Sequence, residues 1–329
     1  MVYASGGSLN IPYSSQITVN PGPLVSGSLS CNFLTPINYS ATLNLTGMLD
    51  QYNNAVPVTV TCTATNLGVS PSNFPMQVTP DSNGNASVSF TINSVGKYTF
   101  SISQKSSISV TTYAMVSDFN QPQTFDGTTN NEVEIHSDGT VWSFGYSTDG
   151  ILGLGSSVSN TNGTWMQVTS PLIHNAVKIM ANGSESLVLD SNGNLWFTGS
   201  FDPYDFVNNY TLIANNVIDI LTAYYPFTNS PTYGDPSSVW YIKSDGTVWY
   251  IGAPVNWAGT GNVEGDFNGY TLQIRPAEVM LNSTTPFTEA VEFYNFWYAG
   301  IEILRNDGTY WWTDQFTSSY IIQGTQSSP

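Results

Sequence analysis

Ser244-Asp245-Gly246-Thr247-Val248-Trp249 decides how the rest of the chain is read, because near-copies stand at Ser137–Trp142 (SDGTVW), Ser191–Trp196 (SNGNLW) and Asn306–Trp311 (NDGTYW). Their glycines, Gly139, Gly193, Gly246 and Gly308, are 54, 53 and 62 residues apart, a period that belongs to repeat architectures. In every copy an aliphatic run precedes the turn and an aromatic run follows it: Val133–His136 with Val141–Phe144, Leu187–Leu189 with Leu195–Thr198, Val239–Ile242 with Val248–Ile251, and Ile301–Leu304 with Tyr310–Trp312. Asp-Gly and Asn-Gly between such runs predict hairpins with type I′ turns. A lone hairpin is marginal in water, so the four are expected to stack radially around a shared core. The motif's Asp and Gly are then backbone geometry and its Trp is core.

Composition narrows the partners. Among 329 residues only Lys97, Lys105, Lys178, Lys243, Arg275 and Arg305 are cationic, against 23 acidic residues, for a net charge of −17. Charged residues make up 9%, where soluble domains usually carry about 25%. Phosphate backbones are bound mainly through Lys and Arg, so nucleic acid is not an expected partner, and anionic lipid is disfavoured for the same reason. No apolar run approaches the ~20 residues of a membrane span. Scarce cations also imply that acid should relieve repulsion rather than break salt bridges, leaving the melting temperature high toward pH 3 and suiting an acidic habitat.

Met1–Gly6 lacks the charged and apolar regions of a signal peptide, so either a signal has been removed or the sequence is part of something longer. Residues 1–27 hold two short alternating runs, Leu9–Ile11 and Gln16–Val19, broken by Pro12, Pro21 and Pro23. They read as a linker or as a strand donated in self-assembly. From 28 to 113 the text becomes short strands of period two, as in Ala41–Gly47, Val56–Thr63, Ala86–Ile92 and Lys97–Ser103, with turn residues between them. Some seven strands in this length is a sandwich count. Cys31 and Cys62, an even pair in a secretion-like composition, are expected to form a disulfide. Asn-X-Ser/Thr sequons at Asn38, Asn44, Asn85, Asn162, Asn182, Asn209 and Asn282 add to an extracellular glycoprotein expectation.

Two resemblances emerge from these residues. "LNLTGMLDQYNNAVPVTVTCTAT", "TPDSNGNASVSFTI" and "GKYTFSIS", taken in order, look like the immunoglobulin-like domains of bacterial and archaeal surface proteins, which implies a spacer or adhesion module over about 28–113. Further on, "MQVTSPLIHNAVKIMANGSESLVLDSNGNLWFTG", and "SDGTVWSFGYSTDGILGLG" with its tail at Asp149, Gly150, Leu152 and Gly153, resemble the regulator of chromosome condensation repeat. That implies a β-propeller over about 114–329. The second and third copies keep the closing glycine at Gly199 and Gly252 but lose the tail, and the fourth has Asp314 at the glycine's place. Four blades are a self-consistent count, an open partial propeller being the alternative. Ring closure predicts that Ser319–Gln323 joins the blade of Val133 or lies beside it. The chromatin role of the namesake does not carry over to so acidic a chain.

Catalytic chemistry is thinly represented. His136 and His174 lack a second metal ligand at a recognisable spacing, and neither a nucleophile elbow nor a phosphate loop is present. Asp81-Ser82-Asn83-Gly84 is a hairpin turn rather than a calcium loop, since it lacks the closing acidic ligand. Glu132, Glu134 and Glu302 would be neighbours in a closed ring and are the residues on which a carbohydrate-active enzyme would rest. The expectation is an all-β non-enzyme, an immunoglobulin-like sandwich followed by a small propeller, without cofactor or metal. It would recognise a glycan or surface protein at a microbial surface, such as an archaeal one. A viral tail fibre or spike is the alternative. Candidate binding residues are Tyr224, Tyr225, Trp257, Tyr270 and Trp297, in or beside the long insertions at Pro203–Asn209, Tyr224–Asp235 and Pro254–Tyr270, because aromatic rings serve both sugars and protein interfaces.

Overall fold

The structure is a computed structural model that describes residues 20–124, 131–146, 150–156, 158–182, 185–202, 205–224, 237–252, 273–297, 300–313 and 321–324. Among them are strands and turns without a helix, so no helix is long and apolar enough to cross a membrane. Of the linker or donated strand expected over residues 1–27, residues 1–19 lie outside the described residues, and Ser26 already belongs to a strand of the sandwich.

The first part of the chain is a two-sheet sandwich. Its strands are β1 (Ser26–Ser30), β2 (Leu34–Pro36), β3 (Ser40–Leu49), β4 (Val58–Thr65), β5 (Met76–Val78), β6 (Ala86–Thr91), β7 (Gly96–Ile102) and β8 (Lys105–Met115). One sheet runs β1-β3-β6 and the other β2-β8-β7-β4-β5, with β2 parallel to β8. The period-two residues Leu43, Leu45, Val58, Val60, Phe90, Tyr98 and Phe100 point into one core between the sheets, as alternation requires. Cys31 and Cys62 pack on that core half-buried, and both are free thiols, not the expected disulfide. Burial pushes Cys31 up to about 11, and burial with the nearby Cys31 pushes Cys62 up to about 12. Without a cation beside them they behave as small apolar side chains; an even count and a composition speak of compartment, not of bonding.

Four antiparallel sheets of four strands follow, each formed from consecutive chain. They are β9 (Gln123–Thr124), β10 (Glu132–Ile135), β11 (Val141–Phe144) and β12 (Met166–Gln167); β13 (Ala176–Asn182), β14 (Glu185–Asp190), β15 (Leu195–Asp202) and β16 (Asp205–Ala214); β17 (Val217–Tyr224), β18 (Ser237–Lys243), β19 (Val248–Gly252) and β20 (Gln273–Glu278); β21 (Ala290–Trp297), β22 (Gly300–Arg305), β23 (Tyr310–Trp312) and β24 (Ile322–Gly324). These are the blades of a β-propeller, packed in series through β10 on β13, β13 on β17 and β17 on β21. Ile322 and Gln323 pair with Trp312 and Trp311 of their own blade, not with a strand of the first blade, which was one of the two arrangements expected from ring closure. A local partner closes a shorter loop than a distant one.

The repeated motif makes a different turn from the expected one. In the first copy the Gly139 amide donates to His136 O at 2.9 Å and the His136 amide to Thr140 O at 2.9 Å. Gly139 alone has positive φ, at 78°, and Gly193, Gly246 and Gly308 match it at 80°, 82° and 81°. This is a three-residue loop, a type I turn closed by a glycine bulge, not type I′. Asp138 Oδ1 accepts from the Thr140 amide and hydroxyl, and Trp142 Nε1 donates to that hydroxyl; Asp245-Thr247-Trp249 and Asp307-Thr309-Trp311 repeat the chain of bonds. The second copy has Asn194 where the others have Thr, and there Asp190 accepts from Trp196 Nε1 instead. All four tryptophans are half-buried, anchored to their turns rather than sunk in the core.

The first three turns also grip the next blade. Gly139 O, Gly193 O and Gly246 O accept the amides of Ala176, Val217 and Ala290, the first residues of β13, β17 and β21, at 3.0 Å each. A Cβ on Gly246 would lie 2.6 Å from Glu289 N, whereas at Gly308 the nearest neighbour would be Leu67 of the sandwich at 4.0 Å. Both Gly246→Ala and Gly308→Ala therefore incur the left-handed backbone penalty of about 1–2 kcal/mol, but only the first adds a clash worth a further ~1–3 kcal/mol. Thermal melting should place G246A clearly below G308A; equal melting temperatures would remove the inter-blade role of the turn.

Candidate functional site

The blades meet around a charged hub that no motif announced. The equivalent segments Ala176-Val177-Lys178, Val217-Ile218-Asp219 and Ala290-Val291-Glu292 each contain a register shift, after which a charged residue follows. Such bulges re-aim side chains. Lys178 Nζ lies 2.5 Å from Asp219 Oδ1, joining the second blade to the third. Asp219 Oδ2 accepts from the Phe293 amide at 2.7 Å, joining the third to the fourth, and Asp118 Oδ2 accepts from the Ile179 amide at 3.1 Å, tying the first blade's entry to the second. One ammonium thus serves three carboxylates. Burial works against the charge on Lys178, but Asp219, Asp118 and Glu292 together hold its pKa above the usual lysine range. Burial raises Asp118, only partly offset by Lys178, and carries Glu292 to about 7 with help from Asp219. The signal was present in the sequence as a charged residue inside an aliphatic run, at one place in three repeats: NAVKIM, NVIDIL and EAVEFY.

Above the hub sits the sandwich. The Leu34 amide donates to Ser191 O at 2.8 Å, Tyr113 Oη donates to Ser244 O at 3.1 Å, and the Phe33 ring lies against Gly193. Leu34 and Met115 belong to the same apolar core as Val217, Ile220, Val239 and Ile303 of the blades. A cavity of about 20 Å³ remains between Lys97, Tyr113, Lys178, Asp219 and Glu292, room for about one water and too little for a sugar ring.

The sandwich therefore covers the face bearing the repeated turns. The inner strands run away from that face, so their far ends define the opposite one. Tyr224 and Trp297 close β17 and β21 there, the backbone of Tyr224 pairing with Ser237 and that of Trp297 with Gly300. The structure thus brings two of the five candidate aromatics to the same end of adjacent blades. Tyr225, Trp257 and Tyr270, with the insertions 225–236 and 253–272, lie outside the described residues. The strands flanking those insertions end on the far face.

Other candidates fare differently. Glu132 and Glu134 stand on β10, opposite Phe144 and Trp142, and Glu302 is buried on β22. Among the described residues no packing between those blades is comparable to that of consecutive blades. His136 stacks on Trp142 at 4.8 Å; the residues at its place in the third and fourth copies, Lys243 and Arg305, lie over Trp249 and Trp311 at 4.3 and 5.6 Å. This position supports a turn and not a metal. Among the described residues no three His, Cys, Asp or Glu side chains are placed to hold a metal ion. Asn38, Asn44, Asn85, Asn162, Asn209 and Asn282 are exposed, and the side chain of Asn182 lies outside the description.

No family model matches the sequence, and no curated protein matches it. Among solved structures, human WBSCR16 is 11% identical with a TM-score of 0.42, covering 91% of this chain and 83% of its own. Yeast RCC1 (Prp20), in a crystal structure with Kap60, is 13% identical with a TM-score of 0.42 over 84% and 60%. Prp20p from Saccharomyces cerevisiae, in a separate structure, is 12% identical with a TM-score of 0.28 over 78% and 66%. The chain spans less than two thirds of the length of the last two.

Removing Asp219 should be far worse than removing a surface carboxylate. Asp219→Ala leaves Lys178 buried without its direct partner, a loss of about 3–5 kcal/mol, and should lower the melting temperature accordingly, while Glu134→Ala should leave it within a degree or two. The acid expectation also changes. Thr140, Thr247 and Thr309 hold Asp138, Asp245 and Asp307 below the usual carboxylate range, and Asn54 with backbone amides holds Asp50 at about 2. Groups with depressed pKa contribute stability above their unfolded value and lose it as pH falls through the folded one. Melting should therefore decline below about pH 4; a melting temperature still rising at pH 3 would restore the simpler repulsion picture.

Proposed function

We propose that this chain is a recognition protein of a microbial surface, such as an archaeal one, that holds a glycan or protein partner on the far face of its propeller. The observation that carries the reading is the division of faces: the turn face is occupied by the chain's own sandwich, while the strands flanking the long aromatic insertions end on the other. The sandwich is read as an immunoglobulin-like spacer. Its first strand pairs in one sheet, β1-β3-β6, and its second runs parallel to the last in the other, in keeping with that topology. Loops on a rigid scaffold are where binding residues collect, and the apolar core shared with the sandwich keeps this scaffold stiff. Exposed sequons, in numbers, fit a glycosylated extracellular setting, and the net charge of −17 disfavours nucleic acid.

Trp257→Ala and Tyr224→Ala test the assignment. Both should melt with the wild type yet bind at least about tenfold more weakly to glycan arrays or to intact surface layers, since aromatic anchors dominate such interfaces. Unchanged binding by both variants would sink the far-face assignment.

A further inference from the structure

The junction between sandwich and propeller carries a carboxyl group that its own surroundings discriminate against. Glu292 stands at the wall of the cavity, with Lys178 of β13 and Asp219 of β17 on the propeller side and Lys97 of β7 and Tyr113 of β8 on the sandwich side. Asp118 acts on the same ammonium at longer range from the first blade's entry, and on the fourth blade Tyr310 of β23 lies within electrostatic range of both Glu292 and Glu302 of β22. Lys178 is already committed to Asp219 at 2.5 Å, and Lys97 Nζ sits 5.9 Å from the centroid of the Tyr113 ring. We propose that protonation of Glu292 controls how tightly the sandwich seats on the blades, so that the junction closes in acid and loosens as the pH rises through neutrality.

Charge count in a confined place sets the preference. With Glu292 neutral, two carboxylates share Lys178, and each is also satisfied by a backbone amide, from Ile179 or Phe293. With Glu292 ionised, a third negative charge enters a space holding about one water, beside Asp219, whose carboxylate already bridges two blades. Like charges in poor solvent repel strongly, and relief comes from admitting water. The cavity wall offers an entrance, because it is shared between β7–β8 of the sandwich and the starts of β13, β17 and β21. Burial first and Asp219 second carry Glu292 up to about 7, with Lys178 opposing, and Asp118 shifts in the same direction. The sign follows: a carboxyl whose folded pKa exceeds its unfolded value of 4.5 stabilises fully below the lower figure, and that contribution is lost as pH rises through about 7.

Hydrogen exchange of the intact protein, corrected for the intrinsic pH dependence of exchange, tests the device. From pH 5.5 to 8.5, protection of peptides covering 96–98, 113–116 and 217–222 should fall by at least about tenfold, the weight of one pKa unit, while β16 stays constant. Glu292→Gln should keep the acid-like protection at both ends, and Glu134→Gln should behave as the wild type. A flat wild-type profile, or an E292Q profile falling in parallel with the wild type, would overturn the proposal. Should E292Q fail to fold, the carboxyl carbon of Glu292 in the wild type decides by NMR titration: a midpoint near 7 supports the device and one near 4.5 removes it.

Discussion

The ion pair between Lys178 and Asp219 is the contact on which the arrangement of blades depends. Each blade is a complete antiparallel sheet from consecutive chain, so backbone ladders hold the blades together internally and say nothing about their order in space. Order comes from what crosses between them: turn carbonyls that take the first amide of the next inner strand, and hub side chains that do the same work nearer the centre. Asp219 touches the second blade through Lys178 and the fourth through the Phe293 amide, so one carboxylate fixes three blades. In a chain with six cations, one placed where it serves three carboxylates does more than several at the surface could, since exposed pairs contribute little.

Electrostatics here are divided by depth. At the surface, aspartates in the turns are held ionised chiefly by amides and threonine hydroxyls, with Lys243 and Arg305 adding a smaller share beside Asp245 and Asp307. At the hub, where water is scarce, the same excess of carboxylates becomes a cost that one lysine offsets only in part. The acidic surface and the acid-favouring hub therefore pull stability in opposite directions as pH falls, and the maximum lies between the two ranges.

The sandwich is a cap as much as a spacer. Phe33, Leu34, Tyr113 and Met115 join the apolar core of the blades or pack on the second and third turns, so the sandwich seats on the face where the repeated motif lies, while Asp138, Asp245 and Asp307 at the turn tips stay exposed. Variation is left to the opposite ends of the strands, where Tyr224 and Trp297 stand and where the insertions begin.

The repeated hexapeptide by itself determined the number of blades, the hairpin in each and the strands on either side, because period and alternation are local properties of the chain. It also carried a rule that is visible within the one sequence: where Thr is replaced by Asn194, the residue before the turn becomes Asp190 and takes over the indole bond. Asp-Gly does not fix the turn type, since it permits two loops and the flanking ladder selects between them. Free thiols at Cys31 and Cys62 were beyond composition and spacing. The hub was written in the sequence as NAVKIM, NVIDIL and EAVEFY, but a lone charge in an aliphatic run looks like a strand edge until bulges in three strands aim those charges at one another. Tertiary structure alone decided which face the sandwich occupies, because docking depends on side chains far apart in the chain.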